Sequence, residues 1–248
     1  NELGAEVHVV GRSPQRTAEV AAEMGTEPII ADFARLDDVH GAADEVLERC
    51  GRVDVLVNNA GMSLSRREVT VDGHETMFQV NHLAPFLLTS LLLDRLEVSA
   101  PSRVITTSSV GNLGGFVNLL DLDSRFFFVG QAVYGTTKLE NILFTRELAR
   151  RVQGTGVLAT CFHPGVVATG FGRGDLIGIV WNSPLRRLMR TPEQGADTLV
   201  WLATAPAGEL RPGGYYVDRR PGLVNPQAYS GRLARQLWER SERLVGLS

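Results

Sequence analysis

One tyrosine and one lysine form a pair whose types and spacing could move a proton. Lys138 is the only lysine among the 25 basic residues of the chain, and it lies four positions after Tyr134. Residues at this spacing share one face of a helix. An ammonium beside a phenol lowers the cost of ionising the phenol, and lysine supplies a compact point charge where arginine supplies a wide fork. The pair predicts a proton donor and acceptor that works near neutral pH; the alternative is a surface tyrosine and lysine at helical spacing.

Two further polar clusters follow predicted strands. The tetrapeptide 58–61 (Asn-Asn-Ala-Gly) follows the apolar run 53–57, and its small residues would let a ligand approach the backbone closely. Ser108 and Ser109 follow the run 104–107, where a hydroxyl could donate to a substrate oxygen. Taken alone, each cluster has a plain alternative, an ordinary turn in the first case and a loop serine in the second.

The elements that must position these clusters alternate between strands and helices. Short apolar, β-branched runs predict strands at 6–10, 28–31, 53–57, 104–107, 157–162 and 215–217. Longer segments predict helices at 14–24, 36–50, 72–96, 131–152, 192–203 and 230–244, with a kink at Pro85. This alternation indicates an α/β fold with a doubly wound parallel sheet between two helical layers. Ligands bind such sheets at the carboxyl ends of the strands.

Composition narrows the class of protein. The chain has 248 residues without repeats or a linker, so we expect one domain over 1–248. A net charge of −3 does not indicate the basic surface that binds nucleic acid, and we expect no such partner. Two cysteines suit a reducing, cytoplasmic location. The histidines and cysteines show no ligand spacing, so we expect no metal, and no apolar run reaches the roughly 18 residues of an integral membrane span.

Together these clusters resemble the short-chain dehydrogenase/reductase family. The order is that of the family: the Asn-Asn-Ala-Gly loop at 58–61, Asn81 in the next helix, Ser109 at a strand end, and then Tyr134 and Lys138. The resemblance implies a Rossmann-type fold that binds NAD or NADP. It also implies hydride transfer between a nicotinamide and a carbonyl or alcohol carbon.

Other segments resemble the retinol-dehydrogenase-like branch of that family. They are the insert 118–130, the helix 134–150 (YGTTKLENILFTRELAR), and the tail segments 215–218 and 237–242. That branch includes reductases of retinal and other lipophilic aldehydes. The resemblance therefore implies a carbonyl reductase, or alcohol dehydrogenase, of a lipophilic aldehyde or ketone.

The resemblance assigns catalytic roles to four residues. Tyr134 is the acid and base, and Lys138 supports its ionisation and holds the nicotinamide ribose. Ser109 orients the substrate oxygen, with Ser108 as the weaker candidate of the two. Asn81 positions a water that passes protons towards Lys138.

Cofactor choice depends on Arg12, which follows the first predicted strand where no acidic residue stands. An arginine there accommodates the 2′-phosphate of NADP, so we expect NADPH rather than NADH; a solvated loop arginine is the alternative. Asp32 would meet the adenine edge or else serve as a turn aspartate. The residues that we expect to bind the cofactor are Arg12, Asp32, Asn59, Ala60, Gly61, Tyr134, Lys138, Pro164, Gly165, Val167 and Thr169.

The Gly-rich phosphate loop of the family, Thr-Gly-x-x-x-Gly-x-Gly, would precede Asn1. The chain opens on a sequence typical of a helix end that runs into a strand, so we expect a first strand and first helix upstream. Because the given sequence does not contain this Gly-rich loop, a second class of function stays open. A family member without that loop could be an inactive truncated form that acts as a binding or regulatory module.

Two segments are expected to shape the substrate side. The stretch of about 170–190 mixes apolar residues with arginines, which predicts an apolar lid, a peripheral membrane contact or an oligomer contact. The helical tail of about 228–248 either caps the pocket or joins a homodimer.

Overall fold

Parallel strands flanked by helices form the computed structural model, which describes residues 3–165 and 190–247. The strands are β1 (Val10–Gly11), β2 (Ile29–Ile30), β3 (Val55–Asn58), β4 (Ser102–Thr107), β5 (Val157–His163), β6 (Tyr215–Val217) and β7 (Arg220–Pro221). The helices are α1 (Pro14–Met24), α2 (Leu36–Arg49), α3 (Thr76–Phe78), α4 (Ala84–Val98), α5 (Gly130–Arg151), α6 (Pro192–Thr204) and α7 (Gly231–Leu244). This arrangement confirms the predicted α/β class.

The strands form two sheets. β1 pairs with β2 in parallel, and β3 to β7 form a five-stranded sheet in sequence order. Among the strands of the described ranges, only β7 runs antiparallel to its neighbour. Within the described residues, no strand joins the small pair to the larger sheet.

Strand register brings the predicted polar clusters to one edge of the larger sheet. Asn58 at the end of β3 pairs with Thr106 of β4, and Thr107 pairs with Phe162 of β5. The loops that follow these three strands therefore leave the sheet side by side. This is the carboxyl edge at which α/β sheets bind ligands.

The predicted strand 6–10 is largely absent as a strand. Only Val10 and Gly11 pair with β2, held by hydrogen bonds from Ile29 N to Val9 O and from Ala31 N to Gly11 O, of 3.0 and 3.1 Å. In the part of the chain that the structure describes, β1 has only β2 as a neighbour, so few of its backbone groups find partners. β7 was not predicted; it begins after two residues with positive φ, Asp218 and Arg219.

The predicted helix 72–96 is not continuous. It begins at Thr76, where Glu75 caps it by accepting from Phe78 N at 2.7 Å. It then widens into a π turn over Gln79–Leu83, in which Ala84 N donates to Gln79 O. The irregularity therefore precedes Pro85, which lies in the first turn of the next α-helical stretch, where a residue needs no N–H to donate.

The stretch Thr76–Val98 is long and apolar enough to cross a membrane by length and composition. However, 83% of its most apolar window is buried inside the protein. It packs against α2 and forms much of the largest hydrophobic cluster. We therefore interpret it as a core helix.

Helix α7 closes this core from the outside. Trp238 is 5% exposed and lies against Phe86 of α4 and Phe144 of α5, with ring centroids 4.8 and 5.8 Å away. Its indole donates to Glu242 at 2.6 Å. The tail thus packs on α4 and α5 of its own chain.

Replacing Trp238 by Ala should destabilise the protein by about 3 to 5 kcal/mol, because it removes a large buried ring and leaves a cavity. Urea unfolding followed by circular dichroism measures this change. Tyr229→Ala is the control, since that side chain is 71% exposed and should cost less than about 1 kcal/mol. A loss of equal size in both variants would contradict the docking of α7.

Candidate active site

Ser109 and Tyr134 meet around Gly111. A Cβ atom on Gly111 would lie 3.5 Å from Ser109 Oγ and 3.5 Å from Tyr134 Cε1. The Ser109 side chain hydrogen-bonds the Tyr134 hydroxyl and also accepts from Gly111 N at 3.1 Å. The two side chains that could hold a substrate oxygen are thus in contact.

Lys138 lies behind this pair with its amine removed from solvent. The residue is 2% exposed, and its Nζ lies 5.5 Å from the centre of the Tyr134 ring. Nζ donates to Thr107 O at 3.3 Å, and Asn141 Nδ2 donates to the same carbonyl at 3.1 Å. Burial lowers the pKa of Lys138 to about 8, because it disfavours the charged form.

In the chain by itself, the surroundings of Tyr134 favour its protonated form. That Lys138 supports ionisation of the phenol stays a prediction. Burial raises the pKa of Tyr134 above its usual value, and the hydrogen bond from Ser109 offsets this only in part. The physical reason is that both groups are desolvated, which penalises both charged forms. At neutral pH the phenol therefore keeps its proton.

The side chain of Asn81 connects two elements of the site, and its role in positioning a water stays a prediction. Its Oδ1 accepts from Met62 N at 2.7 Å, and its Nδ2 donates to Met62 O at 2.9 Å and Thr137 Oγ1 at 3.0 Å. The π turn carries this side chain between the loop after β3 and the helix of the proton donor. The side chain thus fixes these two elements relative to each other.

The two serines after β4 have different roles. Ser108 is fully buried, and its hydroxyl donates to the main-chain oxygen of Lys138 at 2.7 Å. It therefore holds α5 against β4. Ser109 faces Tyr134, which agrees with the preference for Ser109 as the candidate that contacts substrate.

The loop after β3 lies against the lysine through its glycine. A Cβ atom on Gly61 would approach Lys138 Nζ to 3.2 Å and Asn81 Oδ1 to 3.3 Å. Asn59 and Ala60 are exposed, and Asn59 Oδ1 accepts from Thr107 Oγ1 at 3.0 Å. An exposed backbone segment beside a buried amine fits the ribose and nicotinamide end of a dinucleotide.

The other predicted cofactor residues follow the ends of β1, β2 and β5. Arg12 is exposed and makes no hydrogen bond or ion pair with another residue of the described ranges. Asp32 caps a turn by accepting from Ala34 N at 3.0 Å. Pro164 and Gly165 follow β5. The predicted residues Val167 and Thr169, and the substrate segment within 166–189, lie outside the described residues.

A close contact between glycines, which no sequence pattern indicates, holds the turn that carries Ser109. After Ser109 the chain makes a 3-10 turn, Val110–Gly114, against the first turns of α5. A Cβ atom on Gly115 would lie 2.5 Å from Gly135 O, and one on Gly135 would lie 2.6 Å from Gly111 O. Only glycines allow backbones to pack this closely.

The buried amine generates a stability prediction. The pKa of Lys138 is about 8 in the folded chain and 10.5 as a free side chain, so the unfolded chain binds more protons between these values. Stability should therefore rise with pH from about 8 to about 10.5. Below pH 8, Lys138→Met should stabilise the protein by about 1 to 3 kcal/mol, because no charge is buried.

Urea unfolding at about pH 7 and about pH 10.5 measures this difference, which should shrink at the higher pH. The control is Arg232→Met, at an exposed position on α7, whose effect should not depend on pH. A Lys138→Met variant that is less stable at pH 7 would contradict the prediction.

Comparisons with known proteins agree with the geometry. The sequence model of the short chain dehydrogenase family matches residues 1–175. A protein of Streptomyces sp. (strain C5), named as a daunorubicin C-13 ketoreductase, is 43% identical over 98% of this chain and 85% of its own length. Retinol dehydrogenase 14 of Homo sapiens is 40% identical over 94% of this chain and 74% of its own.

A solved structure gives the same result. The complex of Pseudomonas aeruginosa RhlG with NADP superimposes with a TM-score of 0.69 and 25% identity, covering 86% of this chain and 85% of that one. With the family match and these relatives, the resemblance found in the sequence is confirmed. The chain belongs to the short-chain dehydrogenase/reductase family, in its retinol-dehydrogenase-like branch, and is an NAD(P)-dependent oxidoreductase.

Proposed function

We propose that the protein is an NADP-dependent reductase of lipophilic aldehydes or ketones. The observation that carries the proposal is the contact of Ser109 with Tyr134 beside the buried amine of Lys138. When bound, the nicotinamide cofactor supplies the hydride. The chain supplies the groups that hold the substrate oxygen and its proton.

Tyr134 is the proton donor in this proposal. Burial raises the pKa of its phenol, so the phenol is protonated at neutral pH and ready to donate. Ser109 orients the substrate oxygen and stabilises the charge that develops on it. Lys138, with a pKa of about 8, can hold a proton near neutral pH. A protonated donor favours the direction of carbonyl reduction.

Apolar side chains close to this site favour a lipophilic substrate. Leu113 and Phe116 are exposed on the segment that follows Ser109, and Phe126 and Phe127 are exposed just before α5, at 86% and 75%. Gly130 at the start of α5 lies against Leu64 of the loop after β3. The relatives fit this chemistry, since their names specify a ketone of daunorubicin and the alcohol retinol.

If these aromatic residues bind the substrate, the variant Phe126→Ser/Phe127→Ser should raise KM for a long-chain aldehyde by about tenfold or more. KM for a short-chain aldehyde should stay nearly unchanged, because little apolar surface is lost. NADPH oxidation followed by absorbance measures both, with Tyr134→Phe as the inactive blank. The matched control is Val98→Ser, an exposed apolar residue at the end of α4. An equal change for both aldehydes would contradict the proposal.

The preference for NADP depends on Arg12. Arg12 stands between β1 and α1, and its exposed side chain makes no hydrogen bond or ion pair within the described ranges. A guanidinium binds phosphate through two parallel charged hydrogen bonds. Arg12 is therefore available for the 2′-phosphate that distinguishes NADPH from NADH.

Arg12→Ala should weaken NADPH binding by about tenfold or more and leave NADH binding nearly unchanged, because only NADPH loses a charged contact. Fluorescence titration with each cofactor measures both affinities. Arg16→Ala is the matched control, since Arg16 is also exposed and lies one turn further along α1. Equal affinity of the unaltered protein for NADH and NADPH would refute the preference.

A cytoplasmic location, a peripheral membrane contact and a homodimer stay predictions. Both cysteines are unpaired, with Cys161 buried and Cys50 half-buried, which suits a reducing compartment. Helix α7 packs on α4 and α5, so the chain itself covers the apolar face of this helix.

A further inference from the structure

A segment near the end of the chain crosses the turn that carries Ser109. Asn225 is buried, and its main-chain N–H donates to Asn112 Oδ1 at 2.9 Å. Its side-chain amide donates to Gly115 O at 2.8 Å and Leu113 O at 3.3 Å. Three hydrogen bonds from one asparagine therefore hold the turn from outside.

Asn112 passes this constraint to the serine. The side chain of Asn112 is fully buried, and its Nδ2 donates to the main-chain oxygen of Ser109 at 2.7 Å. Its Oδ1 is occupied by Asn225. Both ends of the Asn112 amide are thus used, one towards the serine and one towards the tail of the chain.

The turn that these residues hold also faces the helix of the proton donor. Gly115 packs on the backbone of Gly135, one residue after Tyr134. A shift of the turn would therefore move Ser109 relative to the phenol. Such a shift would lengthen or break the hydrogen bond between Ser109 and Tyr134.

We propose that Asn112 and Asn225 are positioning residues that hold Ser109 against Tyr134, so that the C-terminal segment sets the geometry of the acid–base pair. The proposal rests on the proposed role of Ser109 and goes beyond it by assigning two residues outside the reacting groups. In this proposal both asparagines act through Ser109.

The test is a direct measurement on Tyr134 that needs neither cofactor nor substrate. The chain has four tyrosines, so their ring carbons can be labelled with carbon-13 and resolved by NMR, with Tyr134→Phe assigning the signal. The Tyr134 Cζ resonance is followed from about pH 8 to about pH 12.5, because burial places the Tyr134 pKa above the ordinary value of about 10. Ser109 donates to the phenol oxygen and favours its ionised form, so Ser109→Ala should raise the titration midpoint by about one pH unit.

Asn112→Ala and Asn225→Ala should each raise the midpoint in the same direction, because Ser109 is no longer held. The double variant Ser109→Ala/Asn112→Ala should match Ser109→Ala alone, since a residue that acts through Ser109 has no effect without it. The matched control is Gln227→Ala. Gln227 lies on the same segment and makes two hydrogen bonds to the main chain of Val117, at 2.8 and 3.3 Å, but none to Asn112 or Ser109.

Four outcomes would overturn the proposal. They are an unchanged Tyr134 signal in Asn112→Ala, an additive shift in the double variant, an equal shift in Gln227→Ala, and an unchanged signal in Ser109→Ala. Unfolding of both asparagine variants would also overturn it, by assigning the network to stability alone. A protein that binds no NADPH or reduces no lipophilic carbonyl would refute the proposed function but leave this measurement intact.

Discussion

The amine of Lys138 is removed from water, and the elements around it are arranged to make that burial tolerable. Its one described hydrogen-bond acceptor is the carbonyl of Thr107 at the end of β4, which Asn141 also contacts. Gly61 lets the loop after β3 close over Nζ. This desolvation lowers the stability of the folded chain. Such a cost is common at sites whose function needs a group with a perturbed pKa.

Helix α5 is the element on which these constraints meet. It carries Tyr134 and Lys138 at the site and Phe144 in the core. Its Gly135 packs against the turn that follows Ser109. Most of its residues from Thr137 to Leu148 are buried, so it lacks the polar stripe of a surface helix. A helix packed on all sides can hold two reacting groups with little freedom. Contacts with β4, the π turn and the tail hold the helix in place.

Much of this site could be predicted from sequence, and the rest could not for physical reasons. The lone lysine and the order of the polar clusters identified the fold and the four candidate side chains, because strand ends converge on one edge. The raised pKa of Tyr134 could not be predicted, since burial depends on packing that spacing does not report. The Asn112–Asn225 contact joins residues 113 positions apart, and neither has a local signature. The π turn was hidden because its residues follow no distinct pattern.

The burial of the sole lysine also decides how this chain responds to bioconjugation. Reagents that acylate primary amines, such as activated esters used for biotinylation or cross-linking, find no lysine side chain on its surface. Acylation at Lys138 would require the loop after β3 to move away from α5. The extent of labelling at Lys138 would therefore report opening of the site, and attachment to a solid support could use carboxylates or the half-buried thiol of Cys50.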